Sequence, residues 1–227
     1  LARSMVYFPF VGFIIGIILV YTDKLFLWLL PETMGNIFIL MTAVLVTRAL
    51  HVDGIADSID GIMGGRNPEA RLAIMKDSRI GTAGVLGIVF LFLIKYVSLN
   101  NLFGEYKTAA LLTAPAFSRW AQMLMMFKSN YGREEGMGKA FVGHVRSGGL
   151  VAASIISLGI SAFVIINEPR TILLAVSIPF AVACFTMLWR WFVVRKVGGV
   201  TGDSVGAVSE MTEALTLLLF VFLLNER

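Results

Sequence analysis

Charge is what this sequence has least of. Only 15% of its 227 residues are Asp, Glu, Lys or Arg, while 57% are hydrophobic and the mean hydropathy is +0.82. A soluble domain of this length needs far more charge to cover its surface, so that class is excluded. Cysteine occurs once, as Cys184 inside an apolar run, which excludes disulfides and cysteine-ligated metals. Histidine occurs twice, as His51 and His144, and there is no Ser-His-Asp pattern, Walker motif or dinucleotide fingerprint. The formal charge is +4, but no stripe of Arg and aromatic residues accompanies it. Nucleic acid is therefore not expected as a partner, whereas membrane lipid is: basic residues of this kind meet anionic headgroups. Repeats, heptads and low-complexity tracts are also missing. What remains is an all-α, polytopic helical membrane protein.

Apolar runs fall at 5–22, 36–50, 82–99, 108–127, 149–167, 171–194 and 204–224. At about 20 residues per crossing they predict seven transmembrane helices, within a range of six to eight. They use up most of the chain, so residues 1–227 read as a single integral membrane catalytic domain. The stretch 25–30 is either a re-entrant piece or part of a longer first pair, the second run continues straight into an acidic motif, and Pro179 is expected to kink the sixth. The chain begins at Leu1 without an initiator Met, and its true start is expected upstream. The first run is too long for a cleavable signal and reads as a span. With the N-terminus in the cytoplasm, Arg3, Arg48, Arg66, Arg71, Lys76, Arg79, Lys128, Arg133, Lys139, Arg146, Arg190, Arg195 and Lys196 lie inside, and only Lys24, Lys107, Arg170 and Arg227 lie outside. That asymmetry places the acidic motif and its neighbouring loops on the cytoplasmic face of the membrane.

The motif itself runs His51-Val52-Asp53-Gly54-Ile55-Ala56-Asp57-Ser58-Ile59-Asp60-Gly61. Its three aspartates, at i, i+4 and i+7, share a helical face and repel one another unless a cation joins them. Asp77 follows in Lys76-Asp77-Ser78-Arg79. Hard oxygen donors without His or Cys partners suit Mg²⁺, Mn²⁺ or Ca²⁺ rather than zinc or copper, and one or two Mg²⁺ ions would be completed by substrate phosphates. Asp53, Asp57, Asp60 and Asp77 are thus the expected metal ligands, with Asp60 or Asp77 as the general base. Arg71, Lys76 and Arg79 are placed to hold phosphate oxygens, although a basic flank beside a membrane helix needs no such role.

A second constellation is Gly198-Gly199-Val200-Thr201-Gly202-Asp203, followed by Glu210 and Glu213. The turn suits an anion or nucleotide, or else Asp203 simply caps the last helix. The two glutamates, two to three turns into an apolar helix, call for a metal, a water-filled cavity or a basic partner such as Lys95 or Arg119. A charged loop with Arg133 and Glu134 lies on the same side. His51 is read either as a substrate contact or as an ordinary interfacial histidine.

Asp53-Gly54-x-x-Asp57-x-x-Asp60-Gly61 with Asp77 is similar in logic to the CDP-alcohol phosphotransferases, but lacks their Ala-Arg and the four-residue spacing of the later carboxylates. The chain more closely resembles the cobalamin synthase family, the adenosylcobinamide-GDP ribazoletransferases. The resemblance rests on Phe8-Pro9-Phe10-Val11-Gly12, the run 51–61, the segment 69–84, Ser118-Arg119, Arg133-Glu134-Glu135-Gly136, and the 198–206 turn with Glu210 and Glu213. It implies the last step of vitamin B12 nucleotide-loop assembly: adenosylcobinamide-GDP and α-ribazole, or its 5′-phosphate, are joined with Mg²⁺ and GMP is released. His51, Arg71, Lys76, Arg79, Arg119, Arg133, Glu134, Thr201, Asp203, Glu210 and Glu213 would then contact substrate. A homo-oligomer is compatible with the sequence, and a transporter, which should carry acids in several spans and an inverted repeat, is the less favoured alternative.

Overall fold

The computed structural model describes residues 4–165 and 171–224. Arg3, Arg170 and Arg227 of the charge tally, and positions 166 and 167 of the fifth apolar run, lie outside them. Among the described residues the fold is helical: α1 (Phe8–Leu29), α2 (Glu32–Val46), α3 (Leu50–Gly64), α4 (Pro68–Ile74), α5 (Thr82–Asn100), α6 (Gly104–Met126), α7 (Ser147–Ile165), α8 (Thr171–Val197) and α9 (Gly202–Leu224). Residues 25–30 continue the first helix almost to its end. Five helices (α1, α5, α7, α8 and α9) are long and apolar enough to cross a membrane, and α2 with α3 gives a sixth passage if that bent pair is one span.

The second run does not continue straight into the acidic motif. α2 and α3 meet at 88° across Thr47, Arg48 and Ala49. Arg48 (φ 53°) and Ala49 (φ 57°) both take left-handed backbone, which costs a residue with a Cβ about 1–2 kcal/mol each. α3 therefore lies across one end of the bundle, over the N-terminal turns of α5 and α9. Pro179 sits within an unbroken α8, and Pro115 within α6.

α6 is the central helix, flanked by α1 on one side and α9 on the other. Small residues set these approaches. A Cβ on Gly12 would lie 2.2 Å from the Pro115 carbonyl oxygen, and one on Gly16 would lie 2.6 Å from that of Leu111. Backbones this close are the usual small-residue packing of membrane helices. At the end away from α3, Lys107 on α6 reaches Asp23 of α1 (2.7 Å) and Glu32 of α2 (3.0 Å), so its buried charge is met from two helices.

If Gly12 sets the α1–α6 distance, Gly12→Ala should lower stability in detergent by about 1–3 kcal/mol through overpacking. Gly148→Ala, where an added methyl meets nothing within 4 Å, should leave the unfolding midpoint unchanged.

Candidate active site

α3 is positioned by two close backbone contacts at glycines, of which the one at Gly54 leaves no room for a side chain. A Cβ on Gly54 would stand 2.6 Å from the Asp203 carbonyl oxygen, and one on Gly206 would stand 3.3 Å from the His51 Cα. Close approach of α3 to the start of α9 brings the acidic motif to the glycine turn, two segments 150 residues apart in the chain. α9 opens with a reciprocal cap: the Ser204 amide donates to Thr201 Oγ1 (3.2 Å) and the Thr201 amide donates to Ser204 Oγ (2.9 Å). Thr201, rather than Asp203, is the capping residue, and its side chain is buried in that role. Asp203, in the first turn, is instead ion-paired with Arg133.

The loop after α6 is strapped to this turn. Asn130 and Gly132 flank a bridge to Val200, with Val200 N donating to Asn130 O and Gly132 N donating to Val200 O, both at 2.9 Å. The strap carries Tyr131 and Arg133 over the end of the bundle, where Arg133 also donates to the Met75 carbonyl (3.3 Å). Burial holds the Tyr131 phenol above its ordinary value, so it is protonated at neutral pH. Beneath the strap is a cavity of about 360 Å³ whose wall includes His51, Asp53, Gln122, Tyr131, Arg133 and Asp203. A larger space of about 590 Å³ between α2 and α5 is lined by side chains such as Ile37, Met41, Val89 and Phe92, and carries no charged group.

The acidic residues divide by what they touch. Asp60 turns away from the cavity and caps α5: its carboxylate accepts from Gly81 N (2.7 Å) and Gly84 N (2.8 Å), at the positive end of that helix. Asp77 is half-buried and paired with the exposed Arg79, whose hydrogen bonds hold the carboxyl down to about 2. Such a depressed group stabilises the folded state above its unfolded value and loses that effect only as the pH falls toward 2; solvent around the pair keeps the effect small. Among the described residues, Asp53 and Asp57 alone of the four have neither a side-chain hydrogen bond nor an ion pair. Asp57 feels the negative charges of Asp53, Asp203 and Asp60, opposed by Arg133. Carboxylate oxygens of this kind suit a hard cation. Among the described residues, no three His, Cys, Asp or Glu side chains are grouped so as to hold a metal ion by themselves.

Glu210 and Glu213 belong to a different structure. Lys95 of α5 bonds both, at 2.6 and 2.8 Å, while Glu213 also accepts from Ser118 (3.1 Å) and faces Arg119 at 3.5 Å. Arg119 donates to Ser118 and Ser209. Of the three readings open for the glutamates, the basic partner is the one found. Arg71 donates to the Lys196 carbonyl (2.7 Å), tying α4 to α8, while Lys76 and Glu134 are exposed. The structure thus brings His51, Asp53, Asp57, Arg133 and Asp203 together, and leaves Asp60, Asp77, Arg79, Arg119, Glu210 and Glu213 in other contacts. Gln122 was missed from sequence. Its signal was a polar stripe at 118, 119 and 122 within one apolar helix.

Comparisons with known proteins show the family. Residues 1–221 match the profile of the cobalamin-5-phosphate synthase family. An adenosylcobinamide-GDP ribazoletransferase of Fusobacterium nucleatum is 34% identical over 97% of this chain and 88% of its own length. Those of Geotalea daltonii (36%; 97% and 87%) and Clostridioides difficile (35%; 98% and 88%) are similar to the same degree. No solved structure matches the chain.

The division of the carboxylates has consequences for stability. Asp60→Ala should cost about 1–2 kcal/mol by uncapping α5, whereas Asp57→Asn, which removes a like charge, should cost nothing. Lys95→Met should be the most damaging of the three, at about 3–5 kcal/mol, because it leaves two glutamates buried without their partner. Thermal unfolding in detergent ranks them.

Proposed function

The chain belongs to the cobalamin-5-phosphate synthase family, and from that premise we propose that it is an adenosylcobinamide-GDP ribazoletransferase acting in the cavity between α3, the strap and the start of α9. The reaction joins adenosylcobinamide-GDP to α-ribazole, or to its 5′-phosphate, and completes the nucleotide loop of adenosylcobalamin. The observation that carries the site assignment is the pair of uncommitted carboxylates, Asp53 and Asp57, facing Asp203 and Arg133.

A ribose hydroxyl of the acceptor attacks the phosphorus that bears the cobinamide. A new P–O bond forms, the bridging P–O bond of the diphosphate breaks, and GMP departs with the electron pair. Asp53 and Asp57 would hold Mg²⁺, which when bound supplies charge neutralisation to the diphosphate. A carboxylate oxygen that the cation leaves free, on Asp57, would take the hydroxyl proton. Arg133, oriented by Asp203 and the Met75 carbonyl, holds a phosphate oxygen of the departing GMP. Tyr131 presents a protonated phenol to the same space. Alignment and fixed charge supply most of the acceleration in such transfers.

Seven crossings are proposed, with α6 as the seventh: its Lys107 and Arg119 are both neutralised inside the bundle, so its charges do not bar it from the membrane. The cavity end is assigned to the cytoplasmic face of a prokaryotic inner membrane on the strength of the basic residues that flank it, from Arg66 to Arg79, Lys128 to Arg146 and Arg190 to Lys196.

Purified protein given adenosylcobinamide-GDP and α-ribazole should release GMP, and chelation of Mg²⁺ should stop it. Asp53→Asn and Asp57→Asn should each lower turnover by roughly 100-fold or more while the protein stays folded and membrane-inserted. Wild-type turnover in either variant overturns the site, and transfer from CDP-diacylglycerol in place of adenosylcobinamide-GDP overturns the reaction.

A further inference from the structure

His51 borders the cavity, yet the chemistry above leaves its ring without a task. Its Nε2 lies 3.0 Å from the side-chain nitrogen of Gln122 on α6. With the Gln122 amide nitrogen directed at the ring, it donates, and this assigns a lone pair to His51 Nε2 and the proton of a neutral imidazole to Nδ1. Nδ1 is buried and has no hydrogen-bond partner among the described residues. A buried donor without a partner is costly enough that native structures rarely keep one.

Both sides of this arrangement are held in place. Gly206 lets the α9 backbone press against the His51 Cα, which fixes where α3 puts the ring. Gln122 follows Arg119 by three residues on α6, and Arg119 is anchored by Ser118, Ser209 and Glu213. Lys95 and Arg119 only donate, and Glu210 and Glu213 are bonded to them and to Ser118, so none of these is the missing acceptor. The cavity borders both His51 and Gln122.

We propose that His51 is a substrate-contacting residue whose Nδ1–H donates to a phosphate oxygen of the diphosphate, and that Gln122 is the positioning residue that fixes this tautomer. A phosphate oxygen only accepts, so it requires a donor that cannot switch role; a hydroxyl would accommodate either tautomer and would gain nothing from Gln122. This deepens the transferase reading and rests on it.

The tautomer is measurable without turnover. With two histidines in the chain, ¹⁵N-histidine labelling gives two ring systems, and His144→Gln assigns them. His51 should show the Nδ1-protonated neutral form, and its Nδ1 resonance should move when adenosylcobinamide-GDP is added without α-ribazole. Gln122→Glu, whose carboxylate accepts from Nε2–H, should reverse the tautomer and lower kcat about 10- to 100-fold. His51→Asn, which can place an amide N–H near the Nδ1 position, should retain more activity than His51→Gln, which places one near Nε2. A proton on Nε2 in the wild-type protein, an Nδ1 signal unmoved at saturating adenosylcobinamide-GDP, or equal activities of the two His51 variants would overturn the proposal. Absence of GMP release by the wild-type protein would instead overturn the reaction, whatever the tautomer.

Discussion

Glu210 and Glu213 stand three residues apart on α9 with their charges inside the bundle, and they are tolerated there because Lys95 and Arg119 arrive from two other helices. The four charges sum to zero, and Ser118 and Ser209 take up further hydrogen bonds. A pair of this kind is weak evidence for stability, since an apolar replacement of all four can do as well. What it does impose is register. A slide of α9 by one turn against α5 or α6 would strand a charge, so the three helices pack in one arrangement. Everything at the cavity end inherits that register: the height of Gly206 beneath His51, the position of Asp203 beneath Gly54, and the reach of Gln122 to the His51 ring.

On that fixed platform the acidic helix has to lie sideways. Had α3 continued the direction of α2, its aspartates would stand along a passage into the bundle, where unpaired carboxylates are expensive. The 88° turn moves them to the end of the bundle at the cost of two residues in left-handed backbone. Strain held at such a corner is typical of segments that must present functional groups in one orientation. The turn is then locked at both ends of α3, by Gly54 against Asp203 and by the Asp60 carboxylate on the first amides of α5.

The sequence disclosed the helical membrane class through its shortage of charge, and it disclosed the segments that meet at the cavity through the glycine–aspartate patterns at 53–61 and 198–203. The direction of α3 stayed hidden, because no proline or glycine marks the corner: Thr47, Arg48 and Ala49 bend without any residue suited to it. The duties of the carboxylates were hidden for a different reason. Helical periodicity places Asp53, Asp57 and Asp60 on one face, but cannot say that the N-terminus of α5 arrives opposite the last of them. Likewise the partner of Glu210 was readable as a type, a buried cation, while its choice among Lys95 and Arg119 depended on the three-helix register.

The same logic separates residues that build the site from residues available to work in it. A carboxylate already satisfied by two amides, as Asp60 is, or by a guanidinium, as Asp77 is, has little electrostatic reason to bind a further cation. One left beside like charges with no bond of its own has every reason. Asp53 and Asp57 are in that condition, and their repulsion is only partly offset by Arg133, which is paired with Asp203. The folded protein thus leaves carboxylates next to the cavity that its own side chains compensate only in part. On the proposed reading, a cation brought with the diphosphate would compensate this charge and so favour the charged substrate. The register set deep in the bundle by Lys95 is what keeps that negative charge from relaxing away.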